Sequence, residues 1–151
     1  MKSRIVTSMF LLLTFPFIAN SQPADKSYKQ QIEKFFALVQ NNKYGEAIDY
    51  IYGGNKWMKA KPDEIANVRT SFSGLTAIVG DFLGYENITE EFIGTRYVVA
   101  EYIALFDRQP FRFYFRFYKP KDAWMIDAFG YQGDLDEWLQ QKSKNNYLYQ
   151  K

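Results

Sequence analysis

Carboxylates and phenols are the acid–base groups of this 151-residue chain, because histidine and cysteine are both absent. That absence removes imidazole bases, Ser-His-Asp triads, thiolate nucleophiles, Cys/His zinc sites and disulfides. Apart from Glu86 and Glu90, the acidic residues inside alternating apolar stretches and away from turns are Glu91, Glu101 and Asp127. A carboxyl in such a place is a candidate general acid or base, since burial raises its pKa. Glu101 and Asp127 fall beside arginines in the strand pairing set out below, and a neighbouring guanidinium keeps a carboxylate ionised and structural. Glu91 is left as the candidate for a lone buried carboxylate. An isomerase- or hydrolase-like enzyme would rest on Glu91 or Asp127, and no catalytic residue is assigned. Hard oxygen ligands exist without an Asp-rich loop of calcium spacing, so neither a metal nor a cofactor is expected.

These carboxylates need strands to hold them. After Gly84 the apolar period drops to two. The clearest run is FRFYFRFY, where Phe111, Phe113, Phe115 and Phe117 face one way and Arg112, Tyr114, Arg116 and Tyr118 the other. The preceding run is Arg96 to Phe106, and Asp107-Arg108-Gln109-Pro110 suits a hairpin loop. Pairing Phe106 with Phe111 sets Ala104, Tyr102 and Ala100 against Phe113, Phe115 and Phe117, and Glu101 against Arg116. A turn at Lys119-Pro120-Lys121-Asp122 pairs Tyr118 with Ala123. It brings Trp124, Ile126 and Ala128 onto the Phe face and Asp127 opposite Tyr114. A two-residue turn at Gly94-Thr95 pairs Phe92 with Tyr97 and turns Tyr85, Asn87, Thr89 and Glu91 inward. The strands form an antiparallel meander of four.

Before Gly84 the period is helical. Tyr28, Ile32, Phe35, Phe36 and Val39 make one stripe, ended by Asn41-Asn42. Tyr44, Ala47, Ile48, Ile51 and Tyr52 make a second helix, stopped by Gly53-Gly54. A loop carries Trp57 and Met58. Pro62, Asp63 and Glu64 open a third, longer helix whose apolar residues continue through Ile65, Val68, Phe72, Leu75, Ile78, Val79 and Phe82. Asp134 caps a short final helix through Glu137, Trp138 and Leu139, and residues 144–151 are expected to fray.

Two surfaces follow from this layout. The mouth between helices and sheet would carry Tyr85, Asn87, Thr89 and Glu91, rimmed by Tyr50, Tyr52, Trp57 and Met58. A concave apolar chamber with a few convergent polar groups is the usual ligand site. Polar residues guarding an exposed edge strand give the same composition. The outer sheet face would carry Tyr97, Val99, Glu101, Ile103, Leu105, Arg112, Tyr114, Arg116, Tyr118 and Asp127. That mixture of aliphatics, tyrosines and paired charges resembles an interface core, so a homodimer through this face is expected. The competing arrangement is a monomer whose Arg and Tyr side chains cover the aliphatics.

Residues 1–21 read as a secretory signal peptide: Lys2 and Arg4, then MFLLLTFPFI, then small residues at Ala19 and Ser21, with cleavage before Gln22. Pro16 and the shortness of the apolar run argue against a membrane span. Lys2 and Arg4 belong to the 19 Lys+Arg, so the remainder carries as many basic as acidic residues, 17 Asp+Glu. An exported domain of zero net charge has no electrostatic case for nucleic acid or an anionic membrane. Composition is that of one globular domain, 47% apolar and 24% charged, with aromatics at a high 19%. Residues 22–143 are taken as that domain.

FFALVQNNKYGEAIDYIY at the opening helix pair and AWMIDAF at the last strand carry a further likeness. With three N-terminal helices on a curved four-stranded antiparallel meander, residues 26–132 resemble the nuclear transport factor 2-like superfamily. The resemblance implies a cone-shaped α+β fold, often paired through its outer sheet face. That superfamily spans ketosteroid isomerases, dehydratases, transport adaptors and many pocketed domains, so fold decides little of function. Its dehydratases similar to scytalone dehydratase rely on histidine, and its isomerases on an Asp base with a Tyr and a protonated Asp; neither pattern is present. The expectation is an exported, non-catalytic domain that binds a small apolar or amphipathic ligand or a protein partner. A purely structural interaction protein without a cavity is the remaining class.

Overall fold

Helix α1 (Tyr28–Gln40) starts where Ser27 accepts a hydrogen bond from the Gln30 backbone at 3.2 Å, and its stripe of Tyr28, Ile32, Phe35, Phe36 and Val39 is buried. It stops as expected, with Asn42 in the left-handed region at φ 59°. Helix α2 (Tyr44–Gly53) buries Tyr44, Ala47, Ile48, Ile51 and Tyr52. This computed structural model describes residues 27–149. The expected leader, its expected cleavage point before Gln22 and the last two residues lie outside that range.

The helical region corrects the sequence reading in two places. The loop through Trp57 and Met58 is a turn of helix, α3 (Lys56–Lys59), nucleated by Asn55, whose side chain accepts from the Trp57 and Met58 backbones at 2.9 and 3.3 Å. The long third helix is broken. α4 (Pro62–Ser73) ends against Gly74, and α5 (Thr76–Val79) is a separate turn. Ser71, Ser73 and Gly74 are poor helix formers in succession, and Gly80 then takes φ 81°, a conformation that favours glycine. The chain therefore leaves the helix before Phe82, which opens the first strand.

The sheet is four-stranded and antiparallel in the order β1 (Phe82–Ile93), β2 (Tyr97–Phe106), β3 (Phe111–Tyr118), β4 (Met125–Gln132). The architecture is α+β. Its register differs from the expected one. Ala104, Tyr102, Ala100 and Val98 face Phe111, Phe113, Phe115 and Phe117, a shift of two that preserves every face but moves Glu101 from Arg116 to Tyr114. The first hairpin loop holds Gly94, Thr95 and Arg96, pairing Ile93 with Tyr97 and Phe92 with Val98; Gly94 sits at φ 65°. Two bulges matter more. One lies between Asn87 and Thr89, so Tyr85, Asn87, Glu90 and Phe92 share the inner face while Thr89 and Glu91 pair outward with Glu101 and Val99. The other surrounds Asp127: Ile126 pairs with Phe117, but Ala128 pairs with Arg116 on the outer face and Phe129 replaces it inside.

Between helices and sheet the space is filled with rings. Phe35 lies 5.3 Å from Phe115, 5.1 Å from Phe129 and 5.6 Å from Phe72, centroid to centroid. Phe36 stacks on Tyr85 at 4.0 Å and meets Phe113 edge-on at 5.6 Å. Such offset and edge-to-face pairs add to the area they bury. A terminal helix, α6 (Asp136–Tyr149), begins where Asp134 accepts from the Asp136 backbone, and it runs past Ser143. Among the described residues no helix is long and apolar enough to cross a membrane.

Candidate ligand-binding groove

The residues expected to form one chamber fall into separate places. Tyr85 and Asn87 line a small inner-face recess of about 240 Å³ with Lys29, Glu33, Glu90 and Tyr102. Because of the Asn87–Thr89 bulge, the carboxylate that β1 contributes to it is Glu90 and not Glu91, which is exposed on the other face. Tyr28 donates to Glu90 Oε2 at 3.0 Å, Tyr102 donates to Oε1 at 3.5 Å, and Lys29 Nζ lies 2.9 Å away. Burial, reinforced by Glu90, pushes the Tyr102 phenol up to about 12 and raises that of Tyr28. The Glu90 hydrogen bond and charge raise Lys29. Two protonated phenols and an ammonium therefore engage both oxygens of one carboxylate. This arrangement ties α1 to β1 and β2.

Tyr52 and Met58 do not line the same opening as Trp57; Tyr52 borders a separate recess of about 350 Å³ with Gly53, Pro62 and Ile65. Tyr52 is buried under α2, where desolvation raises its phenol, and Met58 packs against the core. Tyr50 and Trp57 instead line a groove of about 780 Å³ between the α2–α3 corner and the β3–β4 turn. Its opposite wall is Tyr118, Pro120 and Trp124, with Gln31 of α1 also lining it. Trp57 is 66% exposed, and Tyr50 and Tyr118 about two-fifths exposed. Indole surface of that size left in water is a cost that packing has not removed.

Polar side chains bonded to backbone fix both walls. Asn55, the one polar core side chain among the described residues, caps α3 and donates to the Ile126 carbonyl of β4 at 2.6 Å. Gln31 donates to the Trp124 carbonyl at 2.9 Å. Arg96 donates to the Pro120 carbonyl at 2.9 Å, and the Lys119 backbone to the Arg96 carbonyl at 2.8 Å. Cations rest on the rings: Lys56 Nζ is 4.8 Å from the Trp57 ring centre and Lys119 Nζ 5.9 Å from that of Trp124. Sequence reasoning found Tyr50 and Trp57 but placed Tyr118 on the sheet's outer face alone and missed Asn55, Gln31 and Trp124. The asparagine before Lys56 was a usable helix-cap signal. Nothing local marks Gln31.

The outer face gathers the remaining residues. Glu101 accepts a two-point pair from Arg112 at 2.6 and 3.2 Å, rather than facing Arg116, and both side chains are mostly buried. Arg112 also lies under Trp138 of α6, 5.3 Å from its ring. Asp127, turned by its bulge, accepts from Tyr97 at 2.9 Å and lies 3.8 Å from Arg116, so it is not the partner of Tyr114. Burial first, then Asp127, raises the Tyr97 phenol. The Tyr114 ring occupies the space over Gly130 that a Cβ would need. Val99, Ile103 and Leu105 form a half-buried aliphatic row between these charges. Glu101 and Asp127 are thus ion-paired and hydrogen-bonded. Among the described residues no three acidic side chains gather closely enough to share a metal ion.

No family model, curated protein or solved structure matches the chain.

Proposed function

We propose that this is an exported, non-catalytic binding domain of nuclear transport factor 2-like architecture, acting as a homodimer, whose ligand is a small apolar or amphipathic molecule held in the Trp57–Trp124 groove. The observation that carries the reading is the contrast between a ring-filled interior and an open aromatic groove whose walls are fixed by Asn55, Gln31 and Arg96. A groove of this volume matches a drug-sized molecule, and fixed walls lower the ordering cost of binding. Helices followed by consecutive antiparallel strands support the architecture, and the curvature of the sheet belongs to the same proposal. Lys2, Arg4 and the MFLLLTFPFI run support export.

The half-buried row Val99, Ile103 and Leu105 supports pairing through the outer face. The enzyme alternative loses ground because Glu91 and Asp127 are exposed and Glu90 is ion-paired and hydrogen-bonded. Native mass spectrometry of the protein taken from its exported compartment tests the reading. A dimer carrying a small-molecule adduct, lost in Trp57→Ala, is the expected result. A bare monomer that stays bare with added amphipaths would overturn it.

A further inference from the structure

The groove's charge narrows the class of ligand, an inference that rests on the binding reading above. Lys56 and Lys121 line the groove, and Lys119 sits over the Trp124 ring. None of these three lysines has a carboxylate partner among the described residues. By contrast Lys29, Lys43 and Lys61 pair with Glu90, Glu46 and Glu64. The single acid at the groove is Asp122, in the turn between β3 and β4. Three unpaired ammonium groups around one carboxylate leave a local excess of positive charge beside an apolar floor. The domain as a whole, after the leader, is neutral, so this excess is local.

The placement is asymmetric in a useful way. Two of the ammoniums are each held over an indole, one on either wall, by cation–π attraction. An ammonium on a ring keeps its outward N–H groups available as donors, because the ring takes none of them as a conventional acceptor. A ligand with an apolar body along Trp57, Tyr50 and Tyr118 would therefore present its head to cations rather than to water. We infer that the groove selects small amphipathic acids: an apolar chain or ring system bearing one carboxylate, sulfate or phosphate group. Lysine suits this as a point charge that tolerates any of these heads, where a fork-shaped guanidinium would be more particular.

Three probes with the same tail test it: decanoate, decyl maltoside and decyltrimethylammonium, titrated below their micellar concentrations by calorimetry. Decanoate should bind at least about tenfold more tightly than the neutral maltoside at low salt, and the gap should shrink at 1 M salt, where charges a few ångströms apart are largely screened. The ammonium should bind most weakly. The triple variant Lys56→Gln/Lys119→Gln/Lys121→Gln should abolish the preference while leaving maltoside binding unchanged. Equal binding of all three tails would overturn the anion selectivity while leaving the groove reading intact. No binding of any tail would overturn both. Decanoate binding unaffected by Trp57→Ala would place the ligand elsewhere and overturn the inference.

Discussion

Two regions of this molecule are built from the same side chains and use them in opposite ways. In the interior, Phe35, Phe36, Phe72, Phe113 and Phe115 are fully buried and touch one another ring to ring. In the groove, Trp57, Tyr50 and Tyr118 are left partly in water, bordered by lysines and fixed by polar groups that grip backbone carbonyls. The first arrangement makes stability from non-directional burial. The second spends hydrogen bonds on holding a surface that is itself unfavourable in water. That difference is what would separate scaffold from the proposed site: substitutions inside should change stability, and substitutions in the groove should change binding.

The sharpest break of the comparison is Phe35→Ala. Removing a fully buried ring that meets Phe36, Phe72, Phe115 and Phe129 should cost about 3–5 kcal/mol, a large share of a small domain's stability. Urea denaturation followed by far-UV circular dichroism measures it; a loss below 1 kcal/mol, roughly that of a surface change, would mean the interior is not packed as described.

Asn55→Ala sits on the border between the two regions. It removes a helix cap and orphans the Ile126 carbonyl, so about 1–3 kcal/mol is expected. Unlike Phe35→Ala, it should also weaken decanoate binding under conditions where the protein remains folded, because α3 carries Trp57. Stability lost with affinity unchanged would show that the cap does not position the groove.

The recess gives a pH-dependent test. Burial, reinforced by Glu90, pushes the Tyr102 phenol up to about 12, against 10.0 for a free phenol. The folded state holds this proton more tightly than the unfolded chain does. Its contribution is therefore complete below pH 10.0 and is lost as pH climbs toward 12. Urea midpoints should fall across that window, and Tyr102→Phe should fall less steeply than the parent. Parallel curves for the two proteins would show that the folded state does not hold the Tyr102 proton more tightly.

How much of this was written in the sequence depends on the kind of constraint. Stripes such as Tyr28, Ile32, Phe35, Phe36, Val39 and the alternation of FRFYFRFY declare their elements and their buried faces, because burial selects residue type at fixed period. Register is less legible. A shift of two between β2 and β3 keeps every Phe inside, so the pattern alone cannot choose between Glu101 opposite Arg116 and Glu101 opposite Tyr114. Bulges are least legible: nothing in Asn87-Ile88-Thr89 says that an extra residue is accommodated there, yet it exchanges Glu91 for Glu90 at the recess. The groove is a meeting of a helix corner and a distant turn, made by Asn55, Gln31 and Arg96 over long sequence separations. Local pattern does not encode such a meeting.

The smallest stability effect belongs to Trp57→Ala. A side chain two-thirds exposed should cost about 0.5 kcal/mol or less on removal, while decanoate affinity falls about tenfold or more. A large loss of stability instead would make Trp57 part of the scaffold and erase the distinction between the two regions.

The chain holds three tryptophans, and they serve as built-in reporters. Trp57 and Trp124 line the groove, while Trp138 lies over Arg112 at the outer sheet face. The most direct measurement is a nitrogen–proton correlation spectrum of the indole groups during a decanoate titration. The Trp57 and Trp124 signals should move together along a single saturating curve while that of Trp138 stays in place. Movement of Trp138 alone, or of none of the three at saturating decanoate, would contradict the groove as the ligand site.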